Sequence, residues 1–322
     1  MKKKLIMIIM SVLLIISLTA CATKEKKIVI GEGDWDSNTF HDQIVKIIIE
    51  EGYGVEVDIV TADTSVMVSG LKTKDIDAVL ELWSDNVLTY KDDIANKEYV
   101  ELAVNYDDNM QGLYVPTYLV EGEDALAPDL KSVKDLNKYA DLFPDPEESG
   151  KGIIYGGPEG WSATLMLHNK MEVYGLSDNF NFKTIDSNAT LSATLAGAYE
   201  KGEPWVGYNW EPTWIMGLYD MTLLADSSYN ADDFEKGIGA FPAVRVTVCA
   251  NNEFQEKYPE LAKFLSKYTT SSELTSQGLG YMQTEGVEAD VAAKWFLKEN
   301  EELWKNMISE EAYNKVKKAI ED

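Results

Sequence analysis

Histidine, cysteine and arginine are almost missing from this chain: in 322 residues they occur as His41 and His168, Cys21 and Cys249, and Arg245. The two histidines fall in separate predicted helices, and neither has a cysteine or metal-ligand companion at a usable spacing. His168 and Glu172, four residues apart, read as a solvated helix pair rather than half of a zinc site. No metal, no cofactor and no enzymatic activity are therefore expected. With Cys21 committed elsewhere, as argued below, no intrachain disulfide can form, and stability must come from packing. Cys249 closes the β-rich run Val244 to Cys249 and reads as a small buried hydrophobe. Basic charge is also scarce. The formal net charge of -26 repels nucleic acid and anionic headgroups, which excludes both as partners, and it concentrates small cations near the surface.

The first twenty residues stand apart from the fold. Met1-Lys2-Lys3-Lys4 is a positive start, and Leu5 to Leu18 is an apolar run too short and too near the terminus for a comfortable membrane span. Leu18-Thr19-Ala20-Cys21 resembles the bacterial lipobox. That resemblance implies a lipoprotein signal peptide over 1–20, a lipid-modified Cys21, a polar tether over 21–27, and an extracytoplasmic protein anchored to the membrane.

What remains is rich enough to fold: 45% of residues are hydrophobic and 11% aromatic, and the length suits two domains of ordinary size. Ile28-Val29-Ile30, the alternating Val55 to Val60 and the apolar Asp77 to Trp83 read as strands. Helices from Ser37 or Asn38 and from Thr64 alternate with them, so right-handed parallel crossovers gather the turns on one sheet edge. A second strand–helix series runs from Ser132 through Gly152–Tyr155, Trp161–Tyr174, Phe182–Ile185 and Asn188–Tyr199 to the strand beginning at Trp205. The extended segment from Gly112 to Val120 is read as the first crossing between lobes and Phe241 to Ala250 as the return. The fold class is thus two-lobed α/β, with residues 28–117 plus 242–322 in one lobe and 118–241 in the other.

Trp205-Val206-Gly207-Tyr208-Asn209-Trp210 alternates bulky and small side chains, and Glu211-Pro212 stops it, because proline lacks the ladder donor and restricts its predecessor. A buried strand that ends in an aromatic carries that ring to the carboxyl edge of its sheet, where open α/β folds place their ligands. Trp83 also ends a strand, and Trp35 follows one across a glycine turn. Trp161 opens a helix after Gly156-Gly157-Pro158-Glu159-Gly160, a turn that lacks both the GxGxxG spacing and a Walker lysine. Glu159 would repel a phosphate there, but the free amides near Trp161, Ser162 and Ala163 suit a carboxylate or another oxyanion. Trp295 and Trp304, on helical stripes, read as packing. Trp35, Trp83, Trp161 and Trp210 are candidates to hold a methylated ammonium ion, which cannot donate ordinary hydrogen bonds and is held by electron-rich ring faces.

Gly207-Tyr208-Asn209-Trp210-Glu211-Pro212-Thr213-Trp214, Gly157-Pro158-Glu159-Gly160-Trp161 and Leu80-Glu81-Leu82-Trp83 resemble the corresponding segments of glycine betaine-binding proteins of ABC importers. The resemblance covers most of the mature chain. It implies a periplasmic-binding-protein-like fold of type II, a cage from Trp83, Trp161 and Trp210, amides near Trp161 to Ala163 on a substrate carboxylate, and a permease partner. Some members place a histidine four residues after the first cage tryptophan, whereas this chain has Val87. Each cage segment moreover carries an acid beside its ring: Asp34 and Asp36, Glu81 and Asp85, Glu159, Glu211. Choline and trimethylamine N-oxide therefore compete with glycine betaine as ligand, carnitine is a further alternative, and an amino-acid or sugar clamp is a more distant reading. Arg245 could face the cleft and restore carboxylate binding, or spend itself in a surface ion pair.

Overall fold

Apolar runs become central strands because both of their faces must be covered, and Ala78–Trp83 is buried along its length up to the final tryptophan. The computed structural model describes residues 27–33, 35–159 and 161–321, with the side chain of Ser162 left aside. The signal peptide, Cys21, the tether up to Lys26, Asp34 and Gly160 lie outside the described residues.

Among the described residues ten strands follow in order: β1 (Lys27–Glu32), β2 (Glu56–Thr61), β3 (Ala78–Trp83), β4 (Tyr99–Tyr106), β5 (Gln111–Pro116), β6 (Gly152–Gly156), β7 (Phe180–Thr184), β8 (Gly207–Trp210), β9 (Met221–Leu223) and β10 (Val246–Asn251). They form two sheets of five, in the orders β2-β1-β3-β10-β4 and β7-β6-β8-β5-β9. β1 runs parallel to β2 and β3, as the alternation of strand and helix requires, and β10 returns antiparallel between β3 and β4. In the second sheet β6 is parallel to β7 and β8, while β5 is antiparallel to β8 and β9.

Helices cover both faces. In the first lobe α1 (Asp36–Ile47) buries Phe40, Ile44 and Val45, and α2 (Thr64–Thr73) buries Met67, Val68 and Leu71 on the other side of the sheet. In the second lobe α3 (Ser162–Val173) and α4 (Asn188–Lys201) occupy the equivalent connections. The helix expected from Ser132 to Tyr139 is a 3-10 helix over Val133–Lys138, capped reciprocally by Ser132 and Asp135. α5 (Trp214–Leu218) of the second lobe lies against α6 (Ser272–Glu285) of the first, and Trp214 touches the cores of both lobes.

The first crossing falls earlier than the sequence suggested. The extended stretch assigned to the end of the first lobe is β5, paired to β8 and β9, so the chain changes lobes over 107–110 rather than at 117. Pro116 sits at the last position of β5, where a missing ladder donor is tolerated. Extension was legible in the sequence; the partner strand, about a hundred residues away, was not. The return, read from the sequence as Phe241 to Ala250, leads into β10, which Val246 opens.

Three of the eight tryptophans are structural. Trp205 is 2% exposed, stacks on Tyr155 at 6.0 Å and donates its indole N–H to Thr194 Oγ1. Trp304 is buried and donates to the Leu297 carbonyl, and Trp295 stacks on Tyr281 at 4.3 Å. Cys249 is fully buried, and burial pushes its thiol up to about 12, so it is an inert hydrophobe as expected.

Candidate ligand-binding cleft

Tryptophan at a strand end needs room for its ring, and at two of the four candidate positions a glycine supplies it. A Cβ on Gly33 would stand 2.1 Å from the Trp35 ring, and one on Gly157 would stand 2.6 Å from the Trp161 ring. Each ring therefore folds back over the turn that precedes it, at the carboxyl edge of its own sheet.

Two adjoining cavities open between the lobes at that edge. The first, about 320 Å³, is lined by Trp35, Trp83, Trp210 and Trp214 together with Ser37, Thr64, Asn188, Ser192 and Thr213. The second, about 760 Å³, is lined by Trp83, Trp161 and Trp210 with Tyr208, Phe241, Met110 and Met166. Trp83, Asn86 and Trp210 belong to both, so the four candidate tryptophans surround one continuous cleft: Trp35 and Trp83 from the first lobe, Trp161 and Trp210 from the second.

The second-lobe wall is an aromatic stack. Trp161 meets Trp210 edge-on, with ring centroids 5.3 Å apart and planes at 81°, and Tyr208 lies nearly parallel to Trp210 at 5.6 Å. Phe241 continues the row 6.0 Å from Tyr208. β8 ends in Trp210 as expected, although the strand itself starts at Gly207 rather than Trp205, and a cis Glu211–Pro212 peptide follows it. The first-lobe wall is held from beneath: Trp35 and Trp83 both donate their indole N–H groups to the buried Glu81.

Negative charge accompanies the rings. Asp36, Asp85 and Glu211 line the two cavities, and no lysine, arginine or histidine appears among the described lining residues. Burial raises the Glu211 carboxyl above its ordinary range, against a backbone donation from Met110 and the Tyr114 hydroxyl that donates to it at 3.4 Å. Ala163 lines the second cavity at the start of α3, where first-turn amides have no intrahelical acceptor. Of the amides expected to serve an oxyanion, that of Trp161 is already used, donating to the Pro158 carbonyl at 3.0 Å.

Two candidates stand outside the cavity walls. Glu159 is exposed, accepts from Thr184 Oγ1 at 2.8 Å and faces His168 Nε2 at 3.4 Å, and these contacts hold its carboxyl below the ordinary range. His168 thus pairs with Glu159 rather than with Glu172. Arg245 is exposed and pairs with Glu101 at 2.7 Å, so of the two fates open to it the structure shows the ion pair. Trp214, Tyr208, Phe241 and Asn86 line the cleft without having been singled out as ligand contacts. Trp214 carried a signal, since it closes the same aromatic segment as Trp210; Phe241 and Asn86 carried none.

The family model for the substrate binding domain of ABC-type glycine betaine transport systems matches residues 26–299. The trimethylamine N-oxide-binding protein of Pelagibacter ubique (strain HTCC1062) is 22% identical over 304 residues, 92% of this chain and 95% of that protein. Among solved structures, the glycine betaine/L-proline-binding protein of a Borrelia burgdorferi ABC transporter superposes with a TM-score of 0.62 at 20% identity, covering 90% of this chain and 100% of the other. An ABC-transporter choline-binding protein in complex with choline gives a TM-score of 0.60 at 21% identity, with 91% and 98% covered. At such identities these likenesses establish the shared two-lobed fold.

Proposed function

The chain belongs to the family of substrate-binding domains of ABC-type glycine betaine transport systems, and from that premise we propose that it captures a methylated ammonium compound without a carboxylate, of the choline and trimethylamine N-oxide class, between its lobes. Members of the family are extracytoplasmic carriers that deliver small quaternary ammonium ligands to a permease, and they are not enzymes. Among the described residues no helix is long and apolar enough to cross a membrane.

The lining carries the ligand reading: five tryptophans and three carboxylates surround the cleft, with no basic side chain among the described residues that line it. A trimethylammonium group offers methyl surface and positive charge but no donor. Each ring face contributes about 0.5–2 kcal/mol, and three or four of them with methyl burial approach the roughly 8 kcal/mol of a micromolar complex. A carboxylate at the other end of the ligand would meet Asp36, Asp85 and Glu211 with only neutral donors to offset them, the lining hydroxyls and side-chain amides and the first-turn amides of α3. Trp35, Trp83, Trp161 and Trp210 are the proposed cage, with the backbone of Ser162 and Ala163 facing the ligand's polar end. Glu159 and Arg245 are left to their surface pairs.

Titration calorimetry with choline, trimethylamine N-oxide, carnitine and glycine betaine tests this. Choline or the N-oxide binding more tightly than both carboxylates is the expected result. Tightest binding of glycine betaine would overturn the carboxylate-free reading, and silence with all four would overturn the ligand class. We infer in addition that Cys21 bears the lipid anchor; acyl label should enter the wild-type chain and not Cys21→Ser, and equal labelling of both would refute it.

A further inference from the structure

Glu81 is 0% exposed in the middle of β3, the central parallel strand of the first lobe, and it is the only charged residue among the six of that strand. One of its oxygens is the meeting point of four donors. Oε1 accepts from Trp35 Nε1 at 2.8 Å, Trp83 Nε1 at 2.9 Å, Ser37 Oγ at 2.9 Å and Tyr106 Oη at 2.9 Å, while the buried Oε2 has no partner. Trp35, Ser37 and Trp83 all line the first cavity. The core alone gives no reason for this arrangement, because a leucine like its neighbours Leu80 and Leu82 would cover the sheet without desolvating a carboxylate.

Building on the ligand reading above, we propose that Glu81 is the positioning residue of the cage: it fixes the planes of Trp35 and Trp83 through their indole N–H groups and sets a buried negative charge behind them. Indoles whose edges are tied inward keep their rotamers when the lobes are open, so half of the cage is formed before the ligand arrives and less freedom is lost on binding. Four donors converging on one oxygen suit an ionised carboxylate, which has only acceptor sites. Burial pushes the Glu81 carboxyl up, and the donations from Trp35, Ser37, Tyr106 and Trp83 pull it back. The charge lies behind rings whose faces attract cations, and the two effects act in the same direction on a ligand of net positive charge.

Two substitutions separate position from charge. Glu81→Gln keeps an oxygen for the indoles and removes the charge; Glu81→Leu removes both. Tetramethylammonium and choline should bind Glu81→Gln about tenfold more weakly than wild type, and trimethylamine N-oxide, which has no net charge, should lose less. Glu81→Leu should lose about a hundredfold for all three compounds, and its near-ultraviolet circular dichroism should lose tryptophan fine structure that Glu81→Gln retains, with the far-ultraviolet spectrum unchanged. Wild-type affinity of Glu81→Gln for tetramethylammonium would overturn the electrostatic half. Unaltered tryptophan bands in Glu81→Leu would overturn the positioning half. If Glu81→Leu does not fold, loss of those bands in folded Glu81→Gln, despite its retained oxygen, counts against positioning and their retention for it. The dichroism needs no ligand, so a wild-type chain that binds none of these compounds refutes the ligand reading while the bands still decide the role of Glu81.

Discussion

Trp205 and Trp210 lie five residues apart on one short segment, and replacing each by alanine should break different properties. Trp210 is partly exposed at the cleft, where it lines both cavities. Removing it deletes one ring face, worth about 0.5–2 kcal/mol to a bound ammonium ion, along with methyl contact and the edge support of Trp161. A combined loss of about 2 kcal/mol is a factor of about 30 in affinity. Its contribution to the fold is two aromatic pairs, with Trp161 and Tyr208, at about 0.5–1.5 kcal/mol each, which a protein with an ordinary 5–15 kcal/mol of stability survives. Trp205 is 2% exposed and stacks on Tyr155 away from the cleft, so Trp205→Ala should cost about 3–5 kcal/mol of stability and leave the affinity of the folded protein unchanged. Tryptophan-fluorescence titration with choline and trimethylamine N-oxide, beside urea unfolding of each variant, reads both quantities. The reasoning fails if Trp210→Ala binds as wild type, or if it loses stability to the same extent as Trp205→Ala.

Gly33→Ala should weaken ligand binding about tenfold, because its methyl would stand 2.1 Å from the Trp35 ring and must push the indole off Glu81; unchanged affinity by calorimetry would contradict the close approach. Lys170→Met should cost about 3–5 kcal/mol in urea unfolding, since it strands Asp226 in a pair whose side chains are 3% and 5% exposed, and a loss below 1 kcal/mol would argue that the pair is dispensable. His41 is fully buried between Tyr268 Oη and Thr275 Oγ1, and desolvation holds its imidazole down at about 3 against an ordinary 6.5. The unfolded chain takes up a proton below 6.5 that the fold refuses, so this contribution is complete above 6.5 and falls by about 1.4 kcal/mol per pH unit on the way to 3. Burial holds the carboxyls of Asp42 and Glu81 above their ordinary range, which acts with the opposite sign, so the test compares His41→Gln with wild type at each pH. The variant should show the flatter stability profile between pH 6 and 4, and parallel profiles would refute the assignment.

What the sequence discloses about this cleft is what can be decided within a few residues. A ring at a strand end, or one beside a glycine turn, is a local fact, and it made Trp35, Trp83, Trp161 and Trp210 candidates while the helical stripes of Trp295 and Trp304 marked packing. The fate of Arg245 was not local: it depends on β10 lying beside β4, which brings Glu101 within 2.7 Å of the guanidinium and takes the lone arginine out of contention for a ligand carboxylate. The same holds for β5, whose extended, proline-ended sequence fits a linker as well as a strand until β8 is placed next to it. Glu81 is the sharpest instance. Along the strand it is an acid in a run of apolar residues, which by pattern alone marks a solvated position. Only the parallel pairing of β1 with β3 brings the turn after β1 over it, so that Trp35, 46 residues away, and Trp83, two residues away, donate to the same oxygen. An acid misplaced by the binary pattern, next to a strand-end aromatic, is therefore informative: the desolvation it suffers has to be offset by donors, and in an α/β sheet the donors within reach belong to the loops that form the cleft.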